Sequence, residues 1–200
     1  MFDSDLDRDA SSAKVRRRAF LISSASAAAG VLLWSLKKPR ILEASTPKEP
    51  QEVTIVQFSD AGARLKTVHV PKVVKSEDEW RKQLTPNAFD ITRHADTEMA
   101  FSGKYAETYE KGLYRCICCD NALFSSETKF DSGTGWPSFW APIAKENVTD
   151  QHDTTYGMER TAVACTLCDA HLGHVFDDGP APTGLRYCLN SASLRFVKRG

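Results

Sequence analysis

Two short stretches of the sequence, CICC at residues 116–119 and CTLC at residues 165–168, each place two cysteines three positions apart. A C-x-x-C pair on a tight turn directs both thiolates toward one metal ion. Two such pairs complete the four-sulfur shell that zinc prefers in structural sites. The predicted ligands of one structural Zn²⁺ are therefore Cys116, Cys119, Cys165 and Cys168. Because 45 residues separate the two pairs, the metal would join two distant parts of the fold.

Two other interpretations of the C-x-x-C pairs remain open at this point. Export to an oxidising compartment would permit two disulfides instead of a metal site. A redox C-x-x-C is a second alternative, although that motif usually occurs once and within a βαβ unit. The repetition favours zinc. Cys118, inside the first pair, is then a bystander or a competitor for the metal, and Cys188 stands apart.

Short β-strands are predicted throughout the region that contains the cysteines. From Leu113 onward, apolar runs are brief and are broken by Gly, Pro, Asn and Asp, a pattern typical of a mainly β, α+β domain. Strands this short bury little apolar area, so a metal would help to hold them together. The predicted strands are Leu113–Cys116, Ala122–Phe124, Ser138–Trp140, Thr161–Ala164, Leu185–Leu189 and Ser193–Val197.

The segment before these strands has its own signals. Ser76-Glu77-Asp78-Glu79 has the S-x-x-E form of a capping box and predicts a helix that ends near Leu84. Pro86 suits the first position of a second helix, which would run toward His94. Two further β-like stretches, Val53–Phe58 and Thr67–Val74, lie upstream. The predicted organisation is a linker with a β extension over residues 41–75, followed by one domain over residues 76–200.

Residues 1–40 have the pattern of an export signal. The uncharged run Ala19–Leu36 is preceded by Lys14, Arg16, Arg17 and Arg18 and followed by more cations. The string R-R-A-F-L at residues 17–21 resembles the core of twin-arginine signals. No clean cleavage site follows, and 18 residues could just span a bilayer, so an uncleaved anchor remains an alternative. The protein is expected to be exported, either into the periplasm or anchored to the outer face of the inner membrane.

The charge distribution argues against a nucleic-acid partner. Residues 1–40 hold eight Lys or Arg and four Asp, whereas residues 41–200 hold 18 basic and 22 acidic residues. A body with this balance lacks the basic surface that nucleic-acid binding requires.

Cys188 has neighbours that suggest chemistry. Side chains at positions i and i+2 of a strand share a face, so Arg186, Cys188 and Asn190 are expected to point the same way. A cation beside a thiol favours the thiolate, which is the nucleophilic form. A small buried hydrophobe is the alternative for a lone strand cysteine.

Three long strings of sequence closely resemble the methionine-R-sulfoxide reductase family. They are FDSGTGWPSFW at 130–140, CDAHLGHVF at 168–176 and GLRYCLNSA at 184–192, and they accompany the two C-x-x-C pairs. The resemblance runs from about Glu79 to Val197. It implies two small antiparallel sheets with N-terminal helices and a zinc bound away from the active site. It also implies reduction of methionine-R-sulfoxide, in proteins and less well when free.

The resemblance further implies a role for each site residue. Cys188 would attack the sulfoxide sulfur and become a sulfenic acid. His174, helped by His171, would supply protons to the leaving oxygen. Arg186 and Asn190 would orient the site, and Trp136 would hold the S-methyl group of the substrate. Phe139 is expected in the core, and Asp178 is expected to hold a histidine or the arginine, or to be a solvated loop carboxylate.

One position departs from the family pattern. Many members carry a resolving cysteine between the two glycines of the S-G-x-G-W string, where this sequence has Thr134. Threonine cannot form a disulfide, so an external thiol, such as a thioredoxin-like partner, is expected to reduce the sulfenic acid. Oxidised proteins are the expected substrates, and the N-terminus would engage the export machinery. A non-catalytic zinc-ribbon binding module and a thiol–disulfide oxidoreductase are the competing hypotheses.

Overall fold

A computed structural model describes residues 51–154, 157 and 159–199. The signal or anchor predicted for residues 1–40, and most of the predicted linker, lie outside these residues. Within them, no helix is long and apolar enough to cross a membrane.

The described residues contain two α-helices and eleven β-strands. The helices are α1 (Glu77–Gln83) and α2 (Pro86–His94). The strands are β1 (Glu52–Phe58), β2 (Arg64–Pro71), β3 (Gly112–Cys116), β4 (Ala122–Ser125), β5 (Lys129–Phe130), β6 (Ser138–Phe139), β7 (Val148–Asp153), β8 (Arg160–Cys165), β9 (His171–Phe176), β10 (Arg186–Leu189) and β11 (Leu194–Lys198).

All strand pairs in the described residues are antiparallel, and they form three sheets. The largest has the order β5-β6-β10-β9-β8-β7, and a second has the order β11-β3-β4. These are the two sheets that the sequence predicted. The β1–β2 hairpin adds a third sheet of two strands. The prediction of a mainly β, α+β fold is confirmed.

Both helices begin as the sequence predicted. The Ser76 side chain accepts a hydrogen bond from the Glu79 N–H, and the Glu79 carboxylate accepts one from the Ser76 N–H. This reciprocal capping box satisfies backbone donors that would otherwise have no partner. In α2, Thr85 caps the first turn and Pro86 occupies its start. Trp80 and Phe89 then bury the inner faces of the two helices.

Aromatic rings fill the core between the elements. Tyr114 of β3 contacts Phe139 of β6 with ring centroids 4.9 Å apart, and Phe124 of β4 lies 4.8 Å from Phe139. All three side chains are fully buried. Phe139 therefore belongs to the core, as expected. This cluster packs the three-stranded sheet against β6, which lies next to β10 in the six-stranded sheet. It therefore supports β10, the strand that contains Cys188.

A buried asparagine attaches the β1–β2 hairpin to the body. The Asn147 carboxamide accepts a hydrogen bond from the Val56 N–H at 2.7 Å and donates to the carbonyls of Val56 and Ala122 at 2.8 and 2.7 Å. Asn147 is completely buried, so each of these bonds forms away from water. The strand edge of β1 is thus occupied by a side chain of the body.

Three strands are absent from the sequence predictions: β5, β7 and β9. β7 is mostly polar and exposed, and its letters VTDQHD show no apolar alternation. β9 contains a glycine in its interior, which weakens a strand signal. Both of these strands contribute side chains to the candidate site.

Candidate active site and metal centre

The four predicted metal ligands lie on two turns of the same construction. In each turn the residue after the second cysteine donates its N–H to the carbonyl of the first cysteine, from Asp120 to Cys116 and from Asp169 to Cys165, both at 2.9 Å. Both aspartates have a positive φ, 64° and 56°. Aspartate tolerates this left-handed conformation better than most residues, so each turn can close tightly behind its cysteine pair.

The sulfur atoms of the four cysteines meet between the turns. The sulfurs of Cys116 and Cys168 are 3.6 Å apart, as are those of Cys119 and Cys165, and all four lie within 4.8 Å of one another. A tetrahedral shell with metal–sulfur bonds of about 2.3 Å places its sulfurs about 3.8 Å apart. The four residues therefore fit a metal ion. The described cysteines are all free thiols, so no disulfide joins them, and Cys118 lies outside the cluster of four.

A cavity of about 140 Å³ surrounds the remaining cysteine, Cys188. Three of the predicted site residues, Trp136, His174 and Asn190, line it together with Cys188. His171 and Arg186 are not among the residues that line it. The other lining residues are Thr97, Arg160, Gly173, Phe176 and Leu189.

Burial has the largest effect on the pKa of the Cys188 thiol. Desolvation raises its pKa above the ordinary value, and the charge of Arg186 and hydrogen bonds from Thr134 and Ser138 act in the opposite direction without cancelling the burial effect. The charge of Arg186 thus opposes the effect of burial on the Cys188 pKa but does not outweigh it.

Arg186 is held by an acidic residue of the loop after β9. Its guanidinium donates to the two carboxylate oxygens of Asp178 at 2.8 and 2.9 Å, and it lies over the Phe176 ring at 4.4 Å. The forked pair orients the guanidinium and keeps the Asp178 pKa below its usual value. Of the roles considered for Asp178, holding the arginine is the one observed.

His174 has a carboxylate partner that the sequence did not reveal. Its Nε2 lies 2.7 Å from Oδ2 of Asp153, the last residue of β7, and the same oxygen accepts a hydrogen bond from Arg160 at 2.8 Å. All three side chains are largely shielded from water. A carboxylate on one ring nitrogen orients an imidazole and stabilises its protonated form.

A β-bulge explains how two histidines three positions apart come together. In the β8–β9 ladder Val163 faces Gly173 but Ala164 faces His171, so β9 contains one extra residue. Without the bulge, positions 171 and 174 would face opposite sides. With it, the His171 and His174 rings are 5.3 Å apart. Burial, assisted by the charge of His174, lowers the pKa of His171 to about 4, and its buried Nε2 has no partner among the described residues.

Gly173 allows β10, the strand that contains Cys188, to lie close to this bulge. Its φ is +154°, and a Cβ atom at this position would lie 2.1 Å from the Cys188 carbonyl oxygen and 2.9 Å from the Leu189 Cα. These neighbours are backbone atoms and cannot rotate away. A side chain at position 173 would therefore push β10, and Cys188 with it, away from His174.

Glu98 connects the two sides of the cavity and was also missed by the sequence reading. Its carbonyl accepts a hydrogen bond from the Trp136 indole N–H at 3.1 Å, and its N–H donates to the Asn190 side-chain oxygen at 3.0 Å. The Glu98 carboxylate accepts the N–H groups of Ser191 and Ala192 just beyond β10. Glu98 therefore fixes the Trp136 indole relative to β10, the strand that contains Cys188.

Hydroxyl groups line the other side of the Cys188 sulfur. The Thr134 oxygen is 3.9 Å from this sulfur and 2.8 Å from the Ser132 hydroxyl, which is 2.8 Å from the hydroxyl of Ser138. Thr134 is therefore a direct neighbour of the Cys188 sulfur.

Comparison with known proteins shows the family to which the chain belongs. The SelR domain matches residues 84–198, which is more than half of the chain. Similar proteins include the peptide methionine sulfoxide reductase MsrB of Hahella chejuensis (strain KCTC 2396), 59% identical over 125 residues, which are 62% of this chain and 90% of the relative. The protein of the same name from Herminiimonas arsenicoxydans is 58% identical over 125 residues, 62% of this chain and 91% of the relative. The one from Pseudomonas fluorescens (strain Pf0-1) is 57% identical over 128 residues, 64% and 98% of the two chains. The chain therefore belongs to the methionine-R-sulfoxide reductase B family, as its sequence motifs predicted.

Proposed function

We propose that this enzyme reduces methionine-R-sulfoxide in oxidised proteins, and less efficiently the free amino acid, with Cys188 as the nucleophile. The observation that supports this most directly is the cavity in which Cys188, Trp136, His174 and Asn190 meet. It offers a sulfur nucleophile, a flat apolar surface and a proton donor to one small ligand. A non-catalytic zinc-ribbon module would need none of these, and membership of a reductase family argues against it.

The first step transfers oxygen from the substrate to Cys188. The thiolate attacks the sulfoxide sulfur and forms an S–S bond, and the sulfoxide oxygen takes up one proton. The S–S and S–O bonds then break as the OH group moves to the Cys188 sulfur, which becomes a sulfenic acid. Two electrons pass from the cysteine sulfur to the methionine sulfur, and the thioether leaves.

His174 supplies the proton to the sulfoxide oxygen. A positioned imidazole in the same cavity as the nucleophile meets the geometric requirement for a general acid. Asp153 holds its ring in place through the contact with Nε2. His171 is neutral above pH 4 or so because of its low pKa, so its help is limited to packing against His174.

Trp136 selects the epimer. Its indole forms one wall of the cavity and receives the S-methyl group, while its N–H is already engaged by Glu98. Asn190 is fixed by Glu98 and by the Leu172 carbonyl, to which its amide donates. In the proposed binding mode, the sulfur of the R epimer faces Cys188 and its oxygen faces His174, while Trp136 and Asn190 form the fixed walls beside them.

The metal is proposed to be a single structural Zn²⁺. Cys116, Cys119, Cys165 and Cys168 would hold it, and a closed four-sulfur shell leaves no position for substrate. When bound, the ion supplies a cross-link between the β3–β4 and β8–β9 turns. The second turn leads directly into β9, which contains both histidines.

An external thiol or dithiol, such as a thioredoxin-like protein, is proposed to restore Cys188. Thr134 leaves no second sulfur beside the nucleophile, and Cys118 is buried in the metal-side core. One thiol would form a mixed disulfide with release of water, and a second thiol would release the Cys188 thiol.

Residues 1–40 are proposed to direct export to the periplasm, or to anchor the protein to the outer face of the inner membrane. The support is the sequence pattern alone: a twin-arginine string, an uncharged run and flanking cations. In that compartment the enzyme would repair proteins that oxidants have damaged.

A stereochemical assay tests the proposed function. Purified zinc-loaded protein is given each sulfoxide epimer with thioredoxin or dithiothreitol, and turnover of the R epimer alone is expected. Cys188→Ser should abolish it, whereas Cys118→Ser should not. Full activity of Cys188→Ser would refute the proposal. Mass analysis after one equivalent of sulfoxide without reductant should show one added oxygen; a Cys118–Cys188 disulfide would refute the direct-reduction step.

A further inference from the structure

Two large apolar side chains lie exposed beside the cavity. Met99 and Phe101 are 79% and 72% exposed, and Val74 and Leu65, which do not line the cavity, are 74% and 60% exposed. Single exposed apolar residues are ordinary, so what distinguishes Met99 and Phe101 is their place close together in the segment that follows Thr97 of the cavity wall. Methionine and phenylalanine are also enriched at protein interfaces.

The backbone holds this pair at the rim of the cavity. Thr97 is part of the cavity wall, and Glu98 is fixed beneath it by Trp136 and Asn190. The Phe101 N–H donates to the carbonyl of Gly135, the residue before Trp136, at 2.9 Å. The rim formed by Met99 and Phe101 is therefore continuous with the surface that receives the substrate.

Phe101 adopts a conformation that an aromatic residue rarely accepts. Its φ is 64°, in the left-handed region that disfavours residues with a bulky side chain. Gly135, with φ 84°, makes room for it, since a Cβ there would lie 2.7 Å from Phe101 atoms. The two positive-φ residues fit each other, and the result turns the phenyl ring toward solvent instead of into the core.

We propose that Met99 and Phe101 form a docking surface for apolar side chains that flank the methionine sulfoxide in a polypeptide substrate. This inference rests on the proposed function and specifies its substrate class. Methionine is an apolar residue of cores, and its oxidation exposes segments that also contain other apolar residues. An extended chain advances about 3.3–3.6 Å per residue, so a residue within a few positions of the sulfoxide reaches the rim from the cavity.

Peptide kinetics test the docking surface. The substrates are N-acetyl-methionine-R-sulfoxide amide and two heptapeptides with a central methionine-R-sulfoxide, one flanked by leucines and one by serines. Wild-type protein is expected to favour the leucine peptide over the serine peptide by about five- to tenfold in kcat/KM, mainly through KM. Equal kcat/KM values for the two peptides would overturn the inference.

Substitutions at Met99 and Phe101 test whether these residues cause the preference for the leucine peptide. Met99→Ser removes a side chain with no packing role, and Phe101→Asn keeps a residue that tolerates a positive φ. The double variant should reduce the leucine-to-serine ratio to about one, and Met99→Ser alone should lower it. Leu65→Ser, an equally apolar loss far from the cavity, should retain the wild-type ratio. A wild-type ratio in both rim variants would also overturn the inference, whereas absence of turnover with every sulfoxide would refute the proposed function itself.

Discussion

The hydroxyl oxygen of Thr134 lies 3.9 Å from the sulfur of Cys188. A cysteine at position 134 would need only a small side-chain adjustment to reach the bond length of a disulfide, about 2.05 Å. Thr134→Cys is therefore expected to form a disulfide with Cys188 after one turnover, where the wild-type protein retains a sulfenic acid. Intact mass and a peptide map without reductant measure this. Ser132→Cys, one hydroxyl further from Cys188, is the control, and a persistent sulfenic acid in Thr134→Cys would contradict the expectation.

Alkylation of Cys188 should accelerate with pH into the alkaline range. Burial keeps its pKa above the ordinary 9.0, so the thiolate is scarce at neutral pH. Because Arg186 lowers this pKa, Arg186→Met should move the alkylation profile to higher pH. Iodoacetamide kinetics followed by mass spectrometry give the profile, and Arg195→Met, which changes an exposed arginine of β11, provides the comparison. A profile unchanged by Arg186→Met would contradict the assigned influence.

Loss of Asp153 should slow the chemistry more than it weakens binding. Asp153→Asn keeps the size of the side chain but replaces the carboxylate that contacts the His174 ring. A fall in kcat of about 10²-fold is expected, with a small change in KM, since general acid catalysis contributes about 10²–10⁴-fold. Steady-state kinetics measure the split. Because Arg160 shares the same oxygen, Arg160→Gln is assayed in parallel, and an equal fall in that variant would assign the effect to the arginine.

His171 should make the protein less stable in acid. Its pKa is about 4 in the folded protein and 6.5 in the reference state, so the unfolded chain binds the proton more readily. Its contribution is complete above pH 6.5 and is lost as the pH falls toward 4, by up to about 3 kcal/mol. Urea unfolding of wild-type protein and of His171→Gln across this range measures it. The variant should lose less stability between the two pH values than the wild-type protein does.

Removal of the Asn147 carboxamide should loosen the hairpin and the metal turns together. Asn147→Ala leaves the Val56 N–H and two carbonyls without buried partners, a loss of about 2–4 kcal/mol. The Asn147 backbone carbonyl, which the variant keeps, accepts hydrogen bonds from the Asn121 side chain and the Thr166 N–H beside the two cysteine turns. Loss of the side-chain bonds is expected to let this backbone shift. Faster transfer of zinc to a chromogenic chelator is therefore expected as well. Ser59→Ala, at the exposed hairpin turn, should affect neither measurement.

The sequence predicted the local elements and the residues that the motifs contain. The capping box at Ser76 and the proline at 86 act within one or two turns of chain, so their outcome does not depend on the rest of the fold. The metal-binding role of the cysteine pairs could also be predicted, because binding one metal ion restricts the spacing of its ligands. The proximity of the four sulfur atoms confirms the prediction that distant turns converge.

The partners that complete the site were not readable from local sequence. Asp153 ends a polar strand without apolar alternation, and only the β7–β8–β9 ladder brings it to His174. Glu98 makes its contacts through its backbone carbonyl, its backbone N–H and its carboxylate. Every residue type except proline offers the same two backbone groups, so these contacts could not be predicted from the sequence. The pairing of His171 with His174 depends on an extra residue in one ladder, which becomes visible only when both strands are in register.

The four cysteines of the metal cluster precede Cys188 along the chain, so they are synthesised before it. During synthesis the first turn emerges before the second by about 45 residues, and Cys188 follows the second turn by 20 more. Once residue 168 is available, the four cysteines of the metal cluster could hold the proposed Zn²⁺ before β10 has joined the sheet. Cys188 would then enter a protein in which these four thiols are already engaged. Under the proposed reaction, in which Cys188 becomes oxidised, this order would restrict incorrect disulfides.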